Sequence, residues 1–363
     1  MLVWVVVAMA AAAAGATAAG TVFQKAVLRG RPLHLLRDDL LCLGGAAAIS
    51  GNKARKFQGL NLAGVGCVAS YGGVQSNSMA ALSHLARSAG SRFVYFTKPL
   101  PAYLKTSSVQ GNLATALSNG MEIIEVRDGA EYQRLVGAAK LSSGFPAQAS
   151  LPPGIQRTED VFWVPQGGAC PEAELGCQRL ASQVTEYIAT SSASAGSGET
   201  GKPRRWMLVM ASGTGTTAMF TARALEQQLR ARVPSSASST SLCEVVAVPC
   251  AGGSADLLQQ MEALDSSSGL ARVFPRLLLE NSDAKRVFAK PYAEHLSLWR
   301  ELCFELQVVV PFDLIYAPRA FEVLLASPDW RDSEVEIIYY CCGGSEGNET
   351  QLARYRREGL VKT

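Results

Sequence analysis

The chain has 363 residues, 48% of them hydrophobic, enough to bury one large core or two modest ones, which excludes disorder for most of its length. Its 34 basic and 31 acidic residues leave a net charge of +3, too weak for steering toward nucleic acid or an anionic membrane. A small-molecule partner is expected, with no nucleic acid and no stable membrane partner. Nine scattered cysteines without a CxxC pair, and three separated histidines (His34, His84 and His295), point to neither a zinc site nor a disulfide framework. No metal is expected, and the adjacent Cys341 and Cys342 read as reduced thiols of a cytosolic or organellar compartment.

Residues 1–20, MLVWVVVAMAAAAAGATAAG, form an uncharged apolar leader that resembles a signal h-region ending in small residues. It has neither the basic start of a secretion signal nor the arginines of a mitochondrial presequence, so its destination stays open. Its alanines make it a weak membrane anchor. Beyond it, short apolar runs alternate with helix-like segments. FVYF, MEIIEV, VFWVP, WMLVMA, EVVAVP, DLIYAP and VEIIYYC read as strands. They are too apolar for strands with one wet face, so they predict parallel sheets covered by helices in a layered α/β architecture. Helical spacing predicts helices over Ser76–Ala89, Thr217–Arg232 and Glu294–Leu306, with Gly90, Gly120 and Gly129 marking turns. Two serine-rich stretches, beginning at Ser191 and Pro234, predict flexible surface insertions.

Three segments carry chemistry. WMLVMA runs into ASGTGTTAMF, which puts Gly213, Thr214, Gly215, Thr216 and Thr217 where a strand turns into a helix. Close backbone approach, exposed N–H groups, the helix dipole and threonine hydroxyls make that turn an anion site. It also satisfies a loose dinucleotide pattern, but the following strand ends in Pro249 and Cys250 rather than in the acid that a ribose needs. In ISGNKARKF, Lys53 lies between a glycine-containing loop and a helical stretch; a helix N-terminus and burial would lower its proton affinity, as a Schiff-base lysine requires. Read alone, such a lysine is an ordinary surface residue. In ASYGGVQSNSMAAL, Gln75, Ser76, Asn77 and Ser78 open a helix after a glycine pair, a setting that suits an amino acid's carboxylate, and an asparagine there can hold a phenolate oxygen. His84 and His295 read as packed or surface residues, and Cys170 and Cys177 as structural.

Together GNKARK, YGGVQSN, GTGTT, LIYAPRA and CGG follow the order and approximate spacing of the D-cysteine desulfhydrase and 1-aminocyclopropane-1-carboxylate (ACC) deaminase family, and the resemblance covers most of residues 35–355. It implies a tryptophan synthase β-like (fold-type II) α/β enzyme that uses pyridoxal 5'-phosphate (PLP) and forms a homodimer. A larger cofactor-binding domain would comprise 21–61 and 171–363, and a smaller α/β domain 62–170. By the same resemblance Lys53 carries the cofactor, Lys56 approaches its phosphate, Asn77 holds its ring oxygen and Gly213–Thr217 cradle the phosphate. Cys342 flanks the cofactor, Ser76 faces the substrate, and Tyr316 is an active-site tyrosine, with Tyr292 a second.

The implied activity is a carbon–sulfur lyase that converts D-cysteine to pyruvate, ammonia and hydrogen sulfide. The alternative is ACC deamination to 2-oxobutanoate and ammonia. Ring-opening members carry glutamate after the tyrosine and leucine before the final GG, where this chain has Ala317 and Cys342, which disfavours ACC. Ala317, which offers neither a carboxylate nor a hydroxyl, also predicts an unprotonated cofactor ring nitrogen. A nicotinamide-dependent Rossmann oxidoreductase is the remote reading, resting on GTGTTA alone.

Overall fold

The computed structural model describes residues 22–43, 49–102, 104, 109–141, 154–194, 205–232, 243–265, 273–279 and 286–361. The leader and the insertion beginning at Pro234 lie outside the described residues. The described chain opens with a hairpin of β1 (Phe23–Leu28) and β2 (Arg31–Leu36), closed by Arg29 and Gly30, both at positive φ (50° and 76°). A two-residue turn of that hand matches the twist of the flanking strands. The short pair β3 (Cys42–Leu43) and β4 (Ile49–Ser50) then leads into α1 (Gly51–Lys56).

Next come β5 (Cys67–Tyr71), α2 (Asn77–Ala89), β6 (Arg92–Thr97), α3 (Gly111–Ser118), β7 (Met121–Glu125), α4 (Gly129–Leu141) and β8 (Val161–Trp163). Their strands form an all-parallel sheet in the order β7-β6-β5-β8. The rest of the chain comprises α5 (Ala173–Ser194), β9 (Arg205–Ser212), α6 (Thr216–Arg232), β10 (Cys243–Pro249), α7 (Ser254–Asp265) and β11 (Arg276–Leu277). It ends with α8 (Ala293–Glu305), α9 (Ala317–Ala326), α10 (Pro328–Arg331), β12 (Val335–Tyr340) and α11 (Asn348–Arg357). A second sheet has the order β1-β2-β12-β9-β10-β11, parallel except between β1 and β2.

Both sheets are buried on both faces, which is why their strands read as continuous apolar runs. In β9, Trp206, Leu208 and Met210 pack to one side with helices α5 and α6, while Met207 and Val209 pack to the other with α9. In β6, Phe93 and Tyr95 face one cluster, and Val94 and Phe96 the other. The layered α/β expectation holds.

Helix α1 has neighbours in both sheets' surroundings. Ala54 and Phe57, the residue just past its end, pack in the cluster that contains Val68 and Phe93 of the parallel sheet. Arg55, 1% exposed, donates to both oxygens of Asp38 (2.9 and 2.5 Å) and to Gln183 Oε1 of α5 (3.0 Å). Tyr340 of β12 donates to the same Asp38 carboxylate at 2.8 Å.

Two predicted elements differ. DLIYAP is not a strand: Asp313 Oδ1 accepts the N–H groups of Ile315 and Tyr316, and Pro318 sits in the first turn of α9, so the run turns into a helix. The serine-rich stretch from Ser191 begins as the last turn of α5, through Ser194, and the remainder lies outside the described residues.

Candidate active site

One cavity of about 700 Å³ gathers the chemistry-bearing segments. Lys53, Lys56, Gln75, Ser76, Asn77, Ser78, Gly213, Thr214, Gly215, Thr216, Thr217, Tyr316 and Cys342 all line it. The chain has brought together groups from both sheets, as far apart in sequence as Lys53 and Cys342.

Lys53 projects from α1. The helix starts at Gly51, whose φ of +65° and contact with the Cys342 carbonyl leave no room for a side chain. Asn52 N–H donates to that carbonyl at 2.8 Å. The ammonium donates to Asn52 Oδ1 at 3.2 Å. Burial, reinforced by repulsion from Lys56, lowers its pKa to about 7. A lysine so placed is largely neutral, and therefore nucleophilic, just above neutrality. Burial lowers Lys56 to about 8.

The Gly213–Thr217 turn lies between β9 and α6. Gly215 has φ +71°, and a Cβ there would meet Met261 Cγ at 2.5 Å and Leu257 Cδ1 at 3.0 Å. Thr214 and Thr216 hydroxyls are 2.8 Å apart. Lys56 Nζ donates to Gly167 O at 3.0 Å, and the space a Cβ on Gly167 would take lies 3.1 Å from Thr214 Cγ2. Lys56 thus ties the Gly167 turn against the anion loop. These threonines and glycines, with the N-terminus of a 17-residue helix, make a turn that could cradle a phosphate.

At the N-terminus of α2, Ser76 is the N-cap, its Oγ accepting from Met79 N–H at 3.2 Å. Ser78 is 2% exposed, and its hydroxyl has no hydrogen-bond partner among the described residues. Asn112 Nδ2 donates to Asn77 Oδ1 (2.6 Å) and to Gln75 O (2.9 Å). That contact leaves the Asn77 NH₂ as the donor, set against Gly344, where φ is +92° and a side chain would strike it.

The opposite wall carries Tyr316, whose hydroxyl lies 3.2 Å from the position of a Cβ on Gly213. Burial holds its phenol well above the usual range. Phe288 packs against its ring, 5.3 Å between centroids. Burial pushes Asp313 up to about 6, opposed by the N–H groups it accepts; it sits 3.9 Å from Cys342 Sγ. Burial, and then this carboxyl, hold the Cys342 thiol well above its ordinary value.

Tyr292 is not brought to the cavity. Its hydroxyl accepts from Val287 N–H at 2.9 Å, and its ring lies under the Arg286 guanidinium at 4.6 Å. His295 beside it is engaged with Glu322 at 3.0 Å, and His84 does not line the cavity either. Ala317 is also turned away, 1% exposed in the core, so its identity says nothing of groups facing a ligand ring. Asp313 is the carboxyl that the sequence reading missed on this wall. Asn112 and Arg354 were missed as well. Among the described residues no cluster of histidine, cysteine and carboxylates is placed to hold a metal.

No family model and no curated protein matches the chain. Solved structures do. An ACC deaminase homologue is 20% identical with TM-score 0.63, over 93% of this chain and 94% of that one. A hydrogen sulfide-producing enzyme from Fusobacterium nucleatum is 12% identical with TM-score 0.53, over 93% and 99%. A pyridoxal 5'-phosphate-dependent aspartate racemase is 10% identical with TM-score 0.51, over 89% and 90%. The likeness spans nearly the whole chain and shows its fold, the tryptophan synthase β-like, fold-type II arrangement expected from the sequence.

Proposed function

We propose that the protein is a PLP-dependent lyase or deaminase of a small amino acid, with D-cysteine as the substrate that its motifs favour. The observation that carries this reading is the meeting of a near-neutral buried amine, Lys53, with a glycine and threonine anion turn in one cavity. The residues fit the cofactor: a positive-φ glycine turn at a helix N-terminus for its phosphate, the fixed NH₂ of Asn77 for its ring oxygen, and an amine able to attack its aldehyde. PLP, when bound, accepts the electrons released as a bond to the substrate's alpha carbon breaks.

Everything else is supplied by the chain. Gly213–Thr217 anchor the phosphate by backbone N–H groups and hydroxyls, and Lys56 holds the neighbouring Gly167 turn in place. The N-terminus of α2 and the Ser78 hydroxyl, without a partner among the described residues, receive the substrate carboxylate. Lys53, with its pKa about 7, takes and returns the alpha proton. Tyr316, kept protonated by burial, can donate to a departing group on the beta carbon.

An absorption spectrum of the purified protein with added PLP, compared with Lys53→Ala, tests the attachment. A visible band that persists unchanged in the variant would end the proposal. A screen of D- and L-amino acids for pyruvate and sulfide, with ACC included for 2-oxobutanoate, then fixes the substrate; faster turnover of ACC than of D-cysteine makes the chain an ACC deaminase.

A further inference from the structure

Among the described residues three cations line the cavity, and two have assigned tasks: Lys53 as the amine and Lys56 on the Gly167 carbonyl. The third is Arg354. It lies on α11, one turn beyond Thr350, so a spacing of four sets both on the face of the helix that borders the cavity. Its guanidinium reaches Gln75 Oε1 at 3.5 Å and Gln351 Oε1 at 3.3 Å, both neutral, and no carboxylate among the described residues lies within salt-bridge distance. The two carboxylates that line the cavity among the described residues are committed elsewhere. Asp313 accepts N–H groups at the start of α9, and Asp256 accepts the Gly253 N–H at 3.1 Å ahead of α7.

Around Arg354 the wall is also electropositive by construction. Thr350 packs directly on Gly111, the first residue of α3, and Gln75 immediately precedes the N-cap of α2. Two helix N-termini and a guanidinium therefore face one end of the cavity. The α2 terminus with the Ser78 hydroxyl suffices for one carboxylate. The guanidinium, one side chain further out past Gln75, remains for a second.

We propose that Arg354, with Thr350, binds an anionic terminus on the substrate's side chain. The inference rests on the amino-acid reading of the site and narrows it, from small amino acids at large to those whose side chain ends in a negative charge. Cysteine enters that class only in its thiolate form, the minor species at neutral pH. A short dicarboxylate then bridges the α2 terminus and Arg354, whereas a monocarboxylate of equal length reaches only the first.

Calorimetric titration of the purified protein with succinate and with butyrate tests this, with PLP content read separately by absorbance. Succinate is expected to bind at least tenfold more tightly than butyrate. Arg354→Met should abolish that difference while leaving butyrate unchanged, and Arg354→Lys should restore part of it. Equal binding of both probes by the wild type overturns the proposal. So does an Arg354→Met protein, folded by its thermal transition, that loses both probes equally, since Arg354 would then hold the alpha carboxylate. A protein that binds no PLP yet discriminates the probes through Arg354 refutes the cofactor reading and leaves the anion subsite standing.

Discussion

Lys53→Met should stabilise the cofactor-free protein. The unfolded chain holds the Lys53 proton up to its ordinary pKa of 10.5, whereas the folded chain releases it at about 7. Between these values the unfolded state binds more protons, so stability rises with pH, by about 1.4 kcal/mol per pH unit from this one group. The penalty is complete below pH 7, amounts to about 3 kcal/mol at pH 8 and disappears above 10.5. Methionine removes it, at the loss of one hydrogen bond to Asn52 worth about 1 kcal/mol. The variant should therefore be more stable by about 2 kcal/mol at pH 8 and show a shallower rise between pH 7 and 9.5. The slope that remains combines Lys56, whose window opens near its folded pKa of about 8, with the buried thiols Cys170, Cys177, Cys243 and Cys250, whose raised pKa values make stability fall again above pH 9 in both proteins alike. Urea unfolding at half-unit pH steps, after removal of carbonyl compounds with hydroxylamine, measures both curves. Parallel curves for the two proteins, or a variant less stable at pH 8, would refute the assignment of a displaced pKa to this amine.

Removing the buried carboxylate in Asp38→Ala strips Arg55 of its charged partner and Tyr340 of its acceptor, at an expected cost of about 3 to 5 kcal/mol, read as a lower denaturation midpoint. Gly215→Ala meets both a positive φ and the Met261 side chain, so it should weaken inorganic phosphate binding at least tenfold in a calorimetric titration. Asn112→Ala frees the Asn77 carboxamide to rotate, and PLP affinity should fall several-fold while the thermal midpoint moves by only a few degrees.

Local patterns carried the sheets and the anion turn, because burial on both faces leaves an apolar signature in each strand and the glycines after WMLVMA admit the positive φ and close approach that a strand-to-helix anion turn needs. DLIYAP failed for a physical reason. Its β-branched and aromatic residues look like a strand, but the outcome is decided by one carboxylate, Asp313, capturing two successive N–H groups ahead of a proline. Tyr292 failed differently, as its neighbours Val287 and Arg286 occupy the hydroxyl and ring face that a ligand would need. Asn112 and Arg354 had no local signal, since their part in the cavity comes from contacts with Gln75 and Asn77, 35 to 279 residues away.

The six-residue helix that carries Lys53 packs into the smaller sheet's core through Ala54 and clamps onto Asp38 and Gln183 through Arg55, with Tyr340 donating to the same Asp38 carboxylate. Its amine is thus mounted at a mechanical joint. Any change in the spacing of the two sheets would be carried through this short lever to the amine, so the dichroism of an aldehyde attached to it would act as a built-in gauge of that spacing.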